Sequence, residues 1–209
     1  MACYRLGTGA IGMEGKMSQS QSDEIEIPAA KTPQDVQLME LLDKQALHDN
    51  LMLYCRAVDR MNAEQIKSTY WPDGTDDHGS FVGSGDGWGD AAVVWKDLNR
   101  SVNHHVSNVL SEIDGNFAKR ESMFMCVVVF KDPAKTVFLG GRYRDLCEKR
   151  DRQWKVLRRV CVWDWCEEQS TQVGWQMVGI PQNTNWGRFF PDDPIYKDWQ
   201  YSDPLPCPH

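Results

Sequence analysis

The chain has 209 residues, a mass of 24.0 kDa, a formal net charge of −7 and a pI near 5.2. This length suits one domain with a sizeable core plus terminal segments. The acidic charge argues against a nucleic-acid-binding surface, and no apolar run approaches the roughly 20 residues of a membrane span.

Composition divides the chain into three predicted segments. Residues 1–33 are rich in Gly, Ser, Gln and Glu, so we predict a flexible leader. A globular domain is predicted over residues 34–165. Residues 166–209 form an extension rich in Trp, Pro and Asp, which we expect to pack on the domain or on a neighbouring subunit. Its aromatic residues include Trp175, Trp186, Phe189, Phe190, Tyr196, Trp199 and Tyr201.

The first half of the domain is predicted to be mainly helical. Apolar residues at helical spacing indicate one helix between Pro33 and Arg60. Asn62 is the predicted N-cap of a second helix, which runs through Tyr70 and ends at Trp71-Pro72-Asp73-Gly74. The remaining predicted elements of this half are a short strand over His78–Val82, a glycine-rich turn over Gly83–Gly89 and a third helix over Asp90–Arg100.

The second half is predicted to be a series of long strands separated by turn residues. The four predicted strands are Val106–Ile113, Phe117–Phe130, Thr136–Glu148 and Gln153–Trp165. Helices followed by such a meander predict an α+β fold, in which a curved antiparallel sheet wraps around the N-terminal helices. A cone of this kind leaves a blind pocket between the sheet and the helices.

Several short motifs in this order resemble the SnoaL-like branch of the nuclear transport factor 2-like superfamily, over roughly residues 38–165. The motifs are Leu42–Asp49 leading into Tyr54–Arg60, Asp76–Phe81, His104-His105 followed by Asn108, Gly141-Arg142-Tyr143, Trp154-Lys155-Val156 and Asp164-Trp165. Enzymes of this branch include scytalone dehydratase, bile acid dehydratase and hexachlorocyclohexane dehydrochlorinase. The chain is especially similar to the bacterial lignin diarylpropane formaldehyde lyases.

The resemblance implies a cofactor-independent lyase that acts on a small hydrophobic, hydroxylated, aromatic substrate of the lignin-derived diarylpropane type. Acid/base elimination would release formaldehyde, water or both. One alternative is a dehydratase of a polycyclic or steroid-like alcohol. Another is a non-catalytic small subunit of a ring-hydroxylating dioxygenase, or a binding module. The resemblance also implies a homodimer or homotrimer.

Matched position by position, the resemblance assigns four catalytic residues, namely Asp59, Tyr54, His104 and Arg159. His104, oriented by Asp59, would remove a proton while Tyr54 or Arg159 assists the leaving group or stabilises an oxyanion. Each residue has a structural alternative: a solvated carboxylate for Asp59, a satisfied strand histidine for His104, a phenol at the edge of the core for Tyr54, and a partner carboxylate of the fold for Arg159.

Three further residues are predicted to bind substrate: His78, His105 and Trp163. His78 could instead make a structural hydrogen bond, and Trp163 could be a core residue. His105 follows His104 in the same strand, so the two side chains face opposite ways. Which of the two histidines is the base stays open. The inner-sheet aspartate of the bile acid enzyme falls near the apolar Val128, which argues against a bile acid substrate.

Neither a metal nor a cofactor is predicted. The adjacent His104 and His105 point apart, and the chain has no HExxH spacing. The glycines between Gly83 and Gly89 lack the context of a phosphate-binding loop. Seven cysteines without a CxxC pair are typical of a reduced protein, so we expect a cytoplasmic location.

Overall fold

The computed structural model describes residues 32–132, 134–170 and 187–196. The helices are α1 (Pro33–Asp59), α2 (Ala63–Ser68) and α3 (Gly85–Ala92), and short 3-10 helices lie at Val94–Asp97 and Pro194–Tyr196. The strands are β1 (Tyr70–Asp77), β2 (Val82–Ser84), β3 (Asn99–Asp114), β4 (Phe117–Phe130), β5 (Lys135–Arg150) and β6 (Gln153–Ser170). Among these helices, none is both long and apolar enough to cross a membrane.

The strands form one curved, open sheet in the order β2-β1-β6-β5-β4-β3. Strands β3 to β6 make the predicted antiparallel meander. Strand β1 pairs in parallel with β6, a pairing that the sequence did not predict. The helices pack on one side of this sheet, so the predicted α+β class is confirmed.

Helix α1 brings its C-terminal half into the core. It begins with a capping box in which the Thr32 side chain accepts a hydrogen bond from the Asp35 backbone, and Pro33 occupies its first turn. The buried residues of α1 start only at Leu47 and continue through Val58. The end of the helix therefore lies in the interior of the domain.

The segment Trp71-Pro72-Asp73-Gly74 lies inside β1, so the predicted end of α2 in this segment is wrong. Helix α2 ends at Ser68, although Asn62 caps its start as predicted. The register between β1 and β6 shifts between Tyr70 and Thr75, and Pro72 lies in this irregular stretch. Proline lacks an N–H and is tolerated at such an irregularity.

The predicted strand over His78–Val82 is a turn. The His78 N–H donates to the Phe81 carbonyl at 2.8 Å, and Gly79 has a φ of 78°. A positive φ favours glycine, because its lack of a Cβ removes the steric penalty. The turn reverses the chain between the antiparallel strands β1 and β2.

The third helix begins at Gly85, inside the predicted glycine-rich turn, and ends at Ala92, well before the predicted end at Arg100. Ser84 caps it by accepting a hydrogen bond from the Gly87 N–H at 3.0 Å. A Cβ at Gly85 would lie 2.5 Å from the ring of Tyr70, so the helix can approach β1 only with glycine at this position. Close packing therefore overrides the low helix propensity of glycine.

Strand β3 begins at Asn99, seven residues before the predicted start at Val106. His104 and His105 therefore lie inside the strand rather than just before it. A bulge interrupts β3 at Asn108, which has a φ of 49°. Asn108 and Val109 lie opposite the single residue Ser122 of β4, since the register shifts between Ser107 and Leu110.

The described part of the C-terminal extension packs on its own domain. The Phe190 N–H donates to the Arg60 carbonyl at 2.6 Å, and the Asp193 carboxylate lies 3.3 Å from the Arg60 guanidinium. Tyr196 donates a 3.4 Å hydrogen bond to Gln65 of α2. The predicted leader before Thr32 and the aromatic residues Trp175, Trp186, Trp199 and Tyr201 lie outside the described residues.

Candidate functional site

The end of α1 and the inner face of β3 bring Asp59 and His104 together. His104 Nδ1 lies 2.6 Å from Asp59 Oδ1, and the His104 backbone N–H lies 3.0 Å from each carboxylate oxygen. The predicted hydrogen-bonded pair is thus confirmed, whereas its catalytic role stays a prediction. Because the carboxylate binds Nδ1, the other ring nitrogen, Nε2, is the atom of His104 that is left for proton transfer.

The neighbours of His104 favour its protonated form. Burial by itself lowers its pKa, but the Cys126 sulfur, 3.8 Å from Nδ1, and the Asp59 carboxylate outweigh that effect. The pKa of His104 therefore lies well above the usual value. A raised pKa favours the imidazolium form of the ring beside the Asp59 carboxylate.

A second histidine–aspartate pair lies at the end of β1. His78 Nδ1 is hydrogen-bonded to Asp76 Oδ1, and the hydroxyl of Tyr70 donates to Asp76 Oδ2 at 2.5 Å. His78 Nε2 lies 3.3 Å from the hydroxyl oxygen of Tyr54 on α1. Trp88 of α3 donates to that same oxygen at 2.9 Å and stacks on the His78 ring at 3.7 Å.

This second pair was missed by the sequence reasoning, although a signal for it was present. Asp76 and His78 are two residues apart at a strand end, a spacing that places both side chains on one face. Burial lowers the pKa of His78 and outweighs the opposing effect of Asp76. Burial also raises the pKa of Tyr54, so its hydroxyl stays protonated. The pKa values of the two histidines are therefore displaced in opposite directions.

Aromatic rings fill the space between the two pairs. The Phe124 ring has its centre 6.2 Å from the ring of His104 and 5.5 Å from that of Trp163. Trp163 in turn lies 6.3 Å from His78 and donates to the His78 carbonyl at 3.3 Å. Phe124 also stacks on Tyr143 at 4.5 Å. The predicted residue Trp163 is thus brought to the site, at its partly exposed edge.

Arg159 lies behind the site, in a buried ion cluster. Its guanidinium donates to both oxygens of Asp145 at 2.8 Å, and Arg120 donates to the same carboxylate at 2.6 and 3.0 Å. Burial raises the pKa of Asp145, but Arg159 and Arg120 outweigh it and hold that pKa at about 2. The partner of Arg159 is therefore a carboxylate of the fold, which is the alternative that the sequence left open.

The guanidinium of Arg159 also supports the aromatic floor of the site. It lies 3.9 Å from the ring centre of Tyr54 and 4.3 Å from that of Tyr143. Cation–π contacts at such distances are favourable, and more so away from water. The geometry thus gives Arg159 a positioning contact with Tyr54, and its side chain is fully buried.

His105 is not brought to the cluster. It is exposed, on the side of β3 opposite to His104, where it pairs in register with Met125. Of the two adjacent histidines, only His104 faces the interior. Within the described ranges, no group of three or more His, Cys, Asp or Glu side chains could hold a metal ion.

A family model described as SnoaL-like domain matches residues 39–160, which is more than half of the chain. The chain belongs to this SnoaL-like family. The resemblance that the motifs indicated is therefore confirmed at the level of the family. No curated protein matches the chain significantly.

Several solved structures have a fold similar to that of this chain. A candidate scytalone dehydratase from Novosphingobium aromaticivorans is 18% identical, with a TM-score of 0.60 over 66% of this chain and 94% of the other. A hexachlorocyclohexane dehydrochlorinase from Novosphingobium barchaimii is 16% identical, with a TM-score of 0.59 over 65% and 96%. A candidate aromatic ring hydroxylase from N. aromaticivorans is 19% identical, with a TM-score of 0.57 over 62% and 94%. At these identities the likeness shows the fold.

Proposed function

We propose that this SnoaL-like protein is a cofactor-independent lyase that acts on a hydrophobic, hydroxylated aromatic compound by acid/base elimination. The observation that carries the proposal is the Asp59–His104 pair, with a 2.6 Å hydrogen bond at Nδ1. The carboxylate fixes the orientation of the imidazole, so that Nε2 transfers the proton. The names of two neighbours, a dehydratase and a dehydrochlorinase, describe eliminations and support this reaction class.

The residues around the pair support an aromatic substrate. Phe124, Tyr143 and Trp163 form a continuous group of rings next to His104 and His78. Rings favour offset-stacked or edge-to-face contacts with other rings, which adds to the burial of apolar surface. An open surface groove of about 380 Å³ lies beside Leu139, Trp163 and Trp165 and shares Trp163 with this group of rings.

Within this class we propose a lignin-derived diarylpropane diol, on the basis of the motif resemblance. Loss of water from such a diol would give a quinone-methide-like species. Deprotonation of its hydroxymethyl group would then expel formaldehyde and leave a stilbene. A polycyclic or steroid-like alcohol would need the first of these steps alone, so the products distinguish the two candidates.

The purified protein should be incubated with a diarylpropane diol and, separately, with a polycyclic alcohol, without added metal or cofactor. Stilbene formation is followed by absorbance, and formaldehyde by a colorimetric assay. Stilbene with formaldehyde supports the proposed substrate, and water loss alone supports the dehydratase. Turnover of neither compound, with tight binding of one, would favour a non-catalytic binding module.

The His104→Ala variant should fold and lose at least about a hundredfold in rate, as expected when a proton-transfer group is removed. His48→Ala is the matched control, because His48 is an exposed histidine of α1 that also lies beside an aspartate, at 3.8 Å. We expect this control to keep the wild-type rate. Full activity of His104→Ala would overturn the assignment.

A further inference from the structure

Residues 187–196 attach to the domain around one buried carboxylate, that of Asp193. This residue is only 4% exposed, and its two oxygens accept hydrogen bonds from the backbone N–H groups of Arg188 and Ile195 at 2.7 and 3.0 Å. The same carboxylate lies 3.3 Å from the Arg60 guanidinium. A carboxylate that binds two N–H groups and a cation in this way fixes both the shape of the segment and its place on the domain.

The backbone of Phe190 links two elements that are separate in the chain. Its N–H donates to the Arg60 carbonyl at 2.6 Å, and its own carbonyl accepts a hydrogen bond from the Lys96 ammonium. Arg60 follows Asp59 at the end of α1, whereas Lys96 lies in the 3-10 helix that leads into β3, the strand of His104. The segment therefore bridges the two elements that carry the Asp59–His104 pair.

The link between α1 and α2 has a conformation that needs support from its surroundings. Met61 has a φ of 53°, in the left-handed region, which is disfavoured for a residue with a Cβ. Such a conformation persists only where the surrounding structure fixes it. Residues 187–196 hold both sides of this link, because Phe190 binds the Arg60 carbonyl before it and Tyr196 binds Gln65 of α2 after it.

We propose that residues 187–196 form a positioning clamp, which fixes the end of α1 against the start of β3 and so holds Asp59 in place beside His104. This inference rests on the proposed function and deepens it. The clamp acts through Arg60 and Lys96 and does not touch the proton-transfer atoms itself. It lies outside the family domain, whose match ends at residue 160.

A general contribution to stability is the alternative, and the second histidine–aspartate pair provides an internal control for it. His78 Nδ1 is also hydrogen-bonded to a carboxylate, that of Asp76. Among the described contacts, none joins residues 187–196 to His78 or Asp76. Loosening of the whole fold should therefore disturb both pairs, whereas loss of the clamp should disturb the His104 pair alone.

Nuclear magnetic resonance of the imidazole N–H groups in the full chain, without any substrate, measures this difference. A proton shared with a carboxylate in a short hydrogen bond resonates far downfield, and His104→Gln and His78→Gln assign the two signals. Asp193→Asn should move the His104 signal upfield or broaden it and leave the His78 signal unchanged. An unchanged His104 signal, or equal changes in both signals, would overturn the proposal.

Asp192→Asn is the matched control for this variant. Asp192 is the exposed neighbour of Asp193, so its replacement makes the same change of charge without removing the buried carboxylate. We expect both imidazole signals of Asp192→Asn to match those of the wild type. A change in the His104 signal as large as that of Asp193→Asn would show an effect of charge alone and would refute the clamp.

Lys96→Met tests the other end of the bridge, and it decides the question if Asp193→Asn fails to fold. Lys96 is only partly buried, so this variant loses the hydrogen bond to Phe190 without opening the core. Its His104 signal should change in the same direction as in Asp193→Asn. Lys131→Met, at an exposed lysine just after β4, should change neither signal. A folded Lys96→Met with a wild-type His104 signal would contradict the bridge.

The rate provides the second measurement, with the substrate that the activity assay identifies. Asp193→Asn should lower kcat by about tenfold and leave KM nearly unchanged, because the clamp positions a proton-transfer pair and contacts no substrate. A fall in kcat that merely follows the unfolded fraction, measured by circular dichroism at the assay temperature, would indicate a structural role. If no substrate is turned over, the imidazole signals still decide the clamp. A wild-type His104 signal in an active Asp193→Asn enzyme would refute the clamp and leave the proposed function standing.

Discussion

Replacing Asp145 by asparagine is expected to destabilise the protein strongly. The carboxylate accepts hydrogen bonds of 2.6–3.0 Å from two buried guanidiniums, those of Arg120 and Arg159. Asparagine removes the only charge that offsets these cations within the cluster. Breaking a buried ion pair in this way costs about 3–5 kcal/mol, a large part of the roughly 5–15 kcal/mol by which a domain is stable.

The same replacement at Asp164 is the matched control. Asp164 also binds an arginine of the sheet, Arg142, at 3.2 and 3.3 Å, but its side chain is 37% exposed. Exposed pairs contribute about 0–1 kcal/mol. The two aspartates therefore differ mainly in burial, and the predicted difference in unfolding free energy is at least about 2 kcal/mol.

Urea unfolding followed by circular dichroism measures this difference. With a slope near 2 kcal/mol per molar urea, Asp145→Asn should lower the midpoint by about 1.5–2.5 M. Failure of this variant to fold would agree with the upper end of the range. A loss no larger than that of Asp164→Asn would refute the reasoning that the cluster depends on its central carboxylate.

Acid unfolding checks the same carboxylate in the wild-type chain. The pKa of Asp145 is about 2 in the folded protein, against roughly 3.9 in an unfolded chain. The charged form is thus favoured by folding, and its contribution of about 2–3 kcal/mol is complete above pH ~4 and lost as pH falls through ~2. The Asp145→Asn variant should lack this part of the acid-induced loss of stability.

Two further predictions concern the proposed activity. Turnover should survive dialysis against EDTA, because no group of three potential ligands occurs in the described ranges; activity lost to the chelator and restored by one metal would contradict this. Truncation after Ser170, which spares β6, should reduce activity or dissociate an oligomer while the circular dichroism is kept, since residues 187–196 pack beside Arg60 at the end of α1. A truncated protein that stays assembled and fully active would contradict a role of the extension in activity or assembly.

The long periodic strands and the pairing of Asp59 with His104 were predictable from the sequence. Strand β4 has the predicted bounds, Phe117–Phe130, because its alternation is regular and turn residues flank it. Asp59 and His104 were matched through the resemblance, although 45 residues separate them in the chain.

The segment between α2 and β3 was not predictable in the same way. Pro72 lies in a strand because a register irregularity accommodates it, and Gly85 starts a helix because the Tyr70 ring lies against it. Both outcomes depend on contacts between elements, which local propensity does not contain. The hydrogen bonds that join Tyr54, His78 and Trp88 were missed for the same reason, since these residues come from three separate parts of the chain.

The bulge at Asn108 changes which residues of β3 face the core. Between Val102 and Ser107 the more buried positions are even-numbered and include His104 and Val106; after Asn108 they are odd-numbered and include Val109. Deleting one residue here would restore a regular alternation, and one half of the strand would then have to turn its buried side chains to water. A single-residue insertion or deletion in β3 should therefore disrupt the site. A second change of the opposite kind in the same strand should restore it, because it restores the alternation of buried positions.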